Sequence, residues 1–366
     1  MDYLSKIEEA VKYAVDTNYE IYDRQIKVRK RFSEAKNICI FGTGEFFDDC
    51  SEHPGFTFKY VSDNDESKWG MTFKGKLCVP PKELAKIEDL VVLIMVGNYL
   101  PISKQLTEIG VENYSCDEIF LNLLDEHYDK QWFMDKKERM IQALNVFEDE
   151  ESREVYIEVL CNRIAPHLAS KTFNEIKIPG EYYNSGVFSL TNKECLVDAG
   201  AFDGDSAEAF MKAVNMKFEK IYAFELEENN FKLLKKKMEV YSSEKIELYN
   251  AGVYNENKNL TFDGGKDGSH IIEGGRKNAE VVKLDSVLGS KKVTFIKMDV
   301  EGSELAALEG GMGIIKEQKP KLVISAYHYL SDLWEIPLYI KEINGEYKIF
   351  MRHHAPTVWD TDCYAY

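Results

Sequence analysis

Between Leu196 and Glu225 the chain spells a strand, a glycine turn, a helix and a second strand that ends on an acid, and few folds accommodate that order. Leu196 and Val197 lead into Asp198-Ala199-Gly200-Ala201-Phe202-Asp203-Gly204-Asp205. Ser206 follows, placed to cap a helix whose apolar stripe is Ala207, Phe210, Met211 and Val214. Two glycines let the backbone come close to a ligand at the helix N-terminus. Lys220-Ile221-Tyr222-Ala223-Phe224 then reads as a strand closing on Glu225, about 20 residues past the glycines, where an acid accepts hydrogen bonds from both ribose hydroxyls. Strands joined by a crossover helix predict a parallel α/β sheet.

The turn is acidic, and that narrows the ligand. Asp198, Asp203 and Asp205 would repel phosphate oxygens at short range. A ligand with an adenosine, an ammonium and a sulfonium suits the loop better, so S-adenosylmethionine is the expected cofactor. Ala199, Gly200, Gly204 and Ser206 supply the backbone against which it would lie. A lone pair of glycines would be an ordinary strand-to-helix turn; the acids and Glu225 together argue for a site. Leu226, with Asn250 and Ala251 after a third strand at Lys245–Tyr249, stands where an adenine edge would fall, although taken without the rest of the constellation Asn250 and Ala251 read first as a plain loop exit.

Two further strands deliver chemistry to the same edge of the sheet, where ligands of open α/β sheets bind. Val293–Met298 carries Asp299 and Glu301, followed by a short helix from Ser303 to Glu309 that stops at Gly310-Gly311. Lys321–Ser325 delivers His328, a candidate general base, with Asp299 and Glu301 as the other candidate catalytic groups. Gly264-Gly265 through Gly274-Gly275 reads as a flexible stretch. Ser269 and His270 within it are more simply loop residues than ligand contacts.

The N-terminal half repeats the α/β theme in weaker form. Tyr3–Glu34 is helical in pattern, Asn37–Phe41 is a buried-type strand before Gly42-Thr43-Gly44, and Phe58–Val61 is a second strand ending near Asp63 and Asp65. This is half of a dinucleotide fingerprint, since Phe47 stands where a small residue would allow close helix packing. The glycines therefore read first as a packing turn, with a nucleotide site as the alternative. Val79-Pro80-Pro81 breaks the chain, Leu90–Val96 is an apolar strand, Ile102–Ile109 a helix closed by Gly110, and Val111–Tyr114 a last strand. From Asp125 to about Lys171 the helical pattern returns, and the acid run Phe147–Glu151 suits a solvated helix start better than a metal site. The expected organisation is a helical segment 1–35, a Rossmann-like α/β domain 36–121, a helical connector 122–170 and the ligand-binding domain 171–366.

Composition bounds the partners. A formal net charge of -17 disfavours nucleic acid and anionic membrane surfaces, leaving a small or neutral partner. Seven scattered cysteines without a C-x-x-C pair argue against a zinc cluster, so no metal is expected, and reduced thiols fit the cytoplasm. No apolar run approaches the length of a membrane span, and neither a signal peptide nor an anchor is expected. Oligomeric state is not legible.

Taken together, Val197–Asp205, Ala223-Phe224-Glu225, Val282-Lys283-Leu284-Asp285 and above all Phe295-Ile296-Lys297-Met298-Asp299-Val300-Glu301-Gly302-Ser303-Glu304 resemble the FkbM-type family of class I S-adenosylmethionine-dependent methyltransferases. The resemblance covers the chain from about Lys171 onward. It implies a doubly wound, mostly parallel seven-stranded methyltransferase sheet whose last strand is antiparallel. Tyr347–Met351 and Val358-Trp359 would form the closing hairpin. It also implies methylation of oxygen on a sugar or related acceptor, that is, carbohydrate modification. Ala326 stands two positions before His328 where many relatives carry an acid. A nicotinamide-dependent oxidoreductase and a noncatalytic nucleotide-binding scaffold are the alternatives.

Overall fold

The computed structural model describes residues 2–51, 55–119, 127–241, 244–265, 268–271 and 275–366. Two helices, α1 (Tyr3–Thr17) and α2 (Glu20–Glu34), replace the single helical segment expected, because Asn18 and Tyr19 both turn left-handed at φ 55°. Then follow β1 (Asn37–Phe41), α3 (Glu45–Cys50), β2 (Tyr60–Ser62), β3 (Thr72–Phe73), β4 (Lys76–Val79), α4 (Pro81–Leu84), β5 (Leu90–Ile94), α5 (Leu100–Glu108) and β6 (Glu112–Ser115). These strands form one sheet in the order β3-β4-β2-β1-β5-β6, parallel except for β3. The β3–β4 hairpin was not legible, since a two-residue arm leaves no alternation to read. Pro80-Pro81 does not merely break the chain; it opens α4.

The glycine turn of this first sheet is closed by its own protein. Thr43 donates to the Asp63 carboxylate from its backbone N–H at 3.1 Å and from its hydroxyl at 2.6 Å, and Lys68 adds a contact at 2.9 Å. The Asp63 carboxylate thus takes the turn donors that a nucleotide phosphate would need. At Gly42, φ is +103° and a Cβ would stand 2.6 Å from the Met95 carbonyl oxygen, so glycine is required for packing.

The connecting helices α6 (Lys130–Leu144) and α7 (Glu150–Ile164) pack with α1, and α7 also lies against the second sheet. The boundary expected at 121–122 falls in residues outside those described. Within the acid run, Asp149 caps α7 by accepting the Ser152 N–H at 2.8 Å and pairs with Arg352 at 2.7 Å, so this end is a docked helix start. A short helix α8 (Phe173–Ile176) precedes the second sheet. No described helix is long and apolar enough to cross a membrane.

The second half runs β7 (Cys195–Ala199), α9 (Asp205–Ala213), β8 (Lys220–Phe224), α10 (Glu228–Met238), β9 (Ile246–Tyr249), β10 (Gly252–Val253), β11 (Lys258–Gly265), β12 (Gly268–Ile271), β13 (Lys277–Val282) and α11 (Leu284–Leu288). It ends with β14 (Phe295–Met298), α12 (Glu304–Gly310), α13 (Met312–Gln318), β15 (Lys321–Ser325), α14 (Asp332–Ile343), β16 (Ile349–His353) and β17 (Thr361–Ala365). Seven strands form a sheet in the order β16-β17-β15-β14-β7-β8-β9, with only β17 antiparallel to its neighbours. Both faces carry buried apolar side chains: Val197, Phe224, Ile296 and Ile324 on one, Leu196, Ala223, Phe295 and Val323 on the other. That alternation within continuously apolar strands is what a doubly wound sheet requires.

Two expectations shift. The second arm of the closing hairpin is Thr361–Ala365, not Val358-Trp359, because the left-handed Asp360 (φ 57°) redirects the chain between them. The stretch expected to be flexible contains β11 and β12, paired antiparallel within a small sheet of order β10-β13-β11-β12. Residues 266–267 and 272–274, and the side-chain roles considered for Ser269 and His270, lie outside what the structure describes.

Candidate active site

A cavity of about 660 Å³ opens at the carboxyl ends of β7, β8 and β14. It is the place where the strand order reverses direction, which opens a crevice between the loops. Gly200 sets its depth: φ is +78°, and a Cβ would lie 1.7 Å from the carbonyl oxygen of Asp299. Any side chain there would drive the β7 loop away from the end of β14. The amides of Gly200 and Ala201 both donate to the Phe224 carbonyl, at 3.0 and 2.9 Å, tying the loop to β8.

At one end of the cavity stand Gly200, Phe202, Asp205, Ser206, Glu225, Leu226, Asn230, Gly252, Val253 and Ile271. Glu225 is almost enclosed, with 6% of its surface exposed. One carboxylate oxygen accepts the Phe202 N–H at 2.9 Å and the other the Glu227 N–H at 2.7 Å. Burial pushes its carboxyl up to about 7 despite those donors. Each oxygen keeps a lone pair for a ligand hydroxyl.

The acidic loop is distributed otherwise than the sequence suggests. Among Asp198, Asp203 and Asp205, only Asp205 lines the cavity. Asp203 pairs outward with Lys237 at 2.8 Å. Asp198 is fully buried, accepts the Ser206 hydroxyl at 2.6 Å and faces the Lys297 ammonium at 3.3 Å. Ser206 therefore does not cap α9; the N-cap is Gly204, in left-handed conformation at φ 95°. Ala199 and Ala251 are buried behind the lining, Gly204 packs on Leu234 and Met238, and Asn250 donates to the Glu225 carbonyl at 3.0 Å. These residues shape the site from outside the cavity.

Lys297 is the residue whose role went unread. It sits in an otherwise apolar strand, Val293–Met298, and an ammonium in such a strand is itself a signal, because it needs a buried partner. Its Nζ donates to the Gly200 carbonyl at 2.7 Å and lies over the Tyr182 ring at 5.2 Å. Burial alone would lower its pKa, but Asp198, Asp299 and Asp205 outweigh it and raise it.

The other end of the cavity gathers Glu181, Tyr182, Asp299, Glu301, Tyr327 and Asp360. The Tyr182 hydroxyl donates to Asp299 Oδ2 at 3.1 Å, and the Tyr327 hydroxyl reaches Oδ1 at 3.5 Å. Burial raises the carboxyl of Glu181 and, well above the usual range, that of Asp360. Glu181 and Asp360 come from a connector and a turn that carry no motif, so nothing in the sequence marked them. His328 does not line the cavity. Its ring is 2% exposed and stands behind Asp299 and Glu301, with Glu304 on its far side. Burial works against the imidazolium, yet the surrounding carboxylates, Glu304 foremost, raise its pKa well above the ordinary value. A ring held protonated and enclosed is poorly disposed to act as the general base expected of it.

The seven-stranded sheet with its single reversed strand, and a cleft over the β7 turn, are the fold of Rossmann-like methyltransferases. Residues 198–352 match the Methyltransferase FkbM domain. A methyltransferase FkbM from Methylobacillus flagellatus KT matches with a TM-score of 0.64 at 23% identity, covering 100% of this chain and 98% of that one. The shared fold thus includes the N-terminal half. An rRNA methylase from Streptococcus thermophilus matches over 48% of this chain and 87% of its own, at 15% identity and a TM-score of 0.32. Fibrillarin from Aeropyrum pernix, with natively bound S-adenosyl-L-methionine, matches over 50% of this chain and 70% of its own, at 12% identity and a TM-score of 0.32. No curated protein matches the sequence.

Proposed function

We propose that the cavity binds S-adenosylmethionine along Gly200, Asp205, Glu225 and Leu226, and that the chain transfers its methyl group to an oxygen of a sugar or glycan-type acceptor held beside Asp299. The observation that carries this reading is Glu225, a nearly enclosed carboxylate at the end of β8 with both oxygens aimed and half satisfied, facing the cavity at the ribose position. Asp205 and Asp299 are placed to attract the cationic end of the donor, while the apolar side chains of Leu226, Val253 and Ile271 suit an adenine face.

The chemistry asked of the protein is alignment and removal of one proton. The acceptor oxygen attacks the methyl carbon in line, the carbon–sulfur bond breaks with its electron pair remaining on sulfur, and the hydroxyl proton passes to Asp299 or Glu301. His328 holds those two acids from behind. The polar far end, with Glu181, Tyr182, Tyr327 and Asp360, offers acceptors for several hydroxyls at once, which favours a polyol over an apolar acceptor. Incubation with methyl-labelled donor and a panel of carbohydrate fractions tests this: label should appear in a carbohydrate, and label confined to another class of acceptor would refute the sugar assignment.

A further inference from the structure

We infer that a second cavity, at the carboxyl ends of β5 and β6, binds a neutral saccharide. It holds about 340 Å³ between the first sheet and the helices that lead to the second. Tyr99 and Ser115 enter it from the strand ends, Tyr13 from α1, and Asn162 and His167 from α7 and the turn after it. Ligands of open α/β sheets lie at this edge, and the volume is that of a small-molecule pocket.

The lining selects the class of ligand. Two cations are present, but Arg24 is paired with Glu118 and Lys171 with Glu154 at 2.7 Å, while Glu175 adds a further carboxylate. A phosphorylated or carboxylated ligand would meet these acids with both cations already engaged. An apolar ligand would strip water from the same groups and give nothing in return. A sugar ring, apolar on its face and hydroxylated at its rim, matches what remains. The rings of Tyr13, Tyr99 and His167 offer flat surfaces, those of Tyr13 and His167 packed together at 4.4 Å. Hydroxyl acceptors stand beside them in fixed positions. Asn162 donates through Nδ2 to the carbonyls of Glu158 at 2.9 Å and Lys171 at 2.7 Å, which leaves Oδ1 as an acceptor. Glu175 accepts the Thr172 N–H at 2.8 Å and its hydroxyl at 3.0 Å, both through Oε2, and Oε1 bonds to no described residue. Glu118 is held in the same way by Ser115, at 3.0 and 3.3 Å. Groups already locked by protein contacts lose little freedom when a ligand arrives.

Short stretches of chain join this cavity to the one over the second sheet. Tyr99, Ser115 and Thr172 also border a narrow gap with Asn174 and Pro356. From Pro356 the chain reaches Asp360, in the main cavity, over at most about 15 Å. Ile178 lies on the other connecting stretch and donates its N–H to the His353 carbonyl at 2.9 Å, pinning the two stretches together. The second cavity thus holds the distal part of the acceptor whose reacting hydroxyl lies beside Asp299. That role rests on the methyl-transfer reading; the saccharide site itself does not.

The test is saturation-transfer NMR and calorimetry on the full chain with neutral trisaccharides of glucose, galactose, mannose and N-acetylglucosamine, and with UDP as competitor. At least one trisaccharide should bind at one site per chain, and UDP should not displace it. His167→Ala, at an exposed position, should weaken that binding at least fivefold, and so should Glu175→Gln, which retains an oxygen for Thr172. No binding from the whole panel, unchanged binding in either variant, or displacement by UDP overturns the site. A parallel titration with S-adenosylmethionine separates the two readings. Saccharide binding without donor binding removes the methyl-transfer reading alone, and donor binding without saccharide binding removes the second site alone.

Discussion

Asp198 and Lys297 are register partners on the adjacent parallel strands β7 and β14, and their side chains form an ion pair at 3.3 Å with both partners almost wholly buried. The pair joins the two strands whose ends carry the glycine turn and Asp299. Its ammonium also holds the Gly200 carbonyl, so one side chain fixes the geometry on both sides of the cavity mouth.

Removing one member should cost far more than removing both. Lys297→Met leaves an uncompensated buried carboxylate and should destabilise the fold by about 3–5 kcal/mol, whereas Lys297→Met with Asp198→Asn should recover much of that loss. Urea denaturation of the single and double variants measures the difference. Equal losses in both would show that the pair contributes little.

Much of the fold was legible, and the reason lies in its buried parallel strands. Val293–Met298 and Lys321–Ser325 are short apolar runs between turn residues, and both appear within two residues of where they were expected. The position of Glu225 was legible because it ends such a strand: it lines the cavity, as do Gly200, Asp205, Ser206, Leu226, Asp299 and Glu301. What failed was the direction of side chains on irregular backbone. Asp203 and Asp205 are two residues apart, yet one points to Lys237 and the other into the cavity, a difference set by the left-handed turn at Gly204. Tyr182 and Asp360 reach the site from segments with no periodicity, so only tertiary structure brings them in.

Donor affinity should depend on pH through Glu225. Its carboxyl is raised to about 7 by burial, and ribose hydroxyls bind the ionised form. Affinity for S-adenosylmethionine should therefore rise as pH increases from 6 to 8 and level off above. Without ligand the sign for stability is opposite: the contribution is present below the ordinary glutamate range and is lost as pH rises through about 7. Glu225→Gln should bind the donor about tenfold more weakly, with a flatter pH profile, by the loss of a charge-assisted hydrogen bond of roughly 1.5 kcal/mol. A wild-type affinity independent of pH would exclude Glu225 as the ribose acceptor.

Acid should unfold the second sheet through His353, the last residue of the edge strand β16, and His354 just beyond it. Burial lowers their pKa values to about 3 and about 4, so both are neutral in the folded protein until strong acid. The unfolded chain takes up these protons near 6.5, so stability falls as pH drops from that value toward 4. Replacing His354 by Gln should flatten this slope in thermal melts recorded from pH 7 to 4; a slope equal to that of the parent would assign the acid sensitivity elsewhere.

The preference of the cavity for a sulfonium ligand over a diphosphate is tested most directly by calorimetric titration of the full chain with S-adenosylmethionine and, separately, with NAD. The proposed function predicts one donor site per chain that Glu225→Gln weakens, and no saturable heat with NAD at that site. Saturable NAD binding that Glu225→Gln abolishes, with no heat from S-adenosylmethionine, would contradict it.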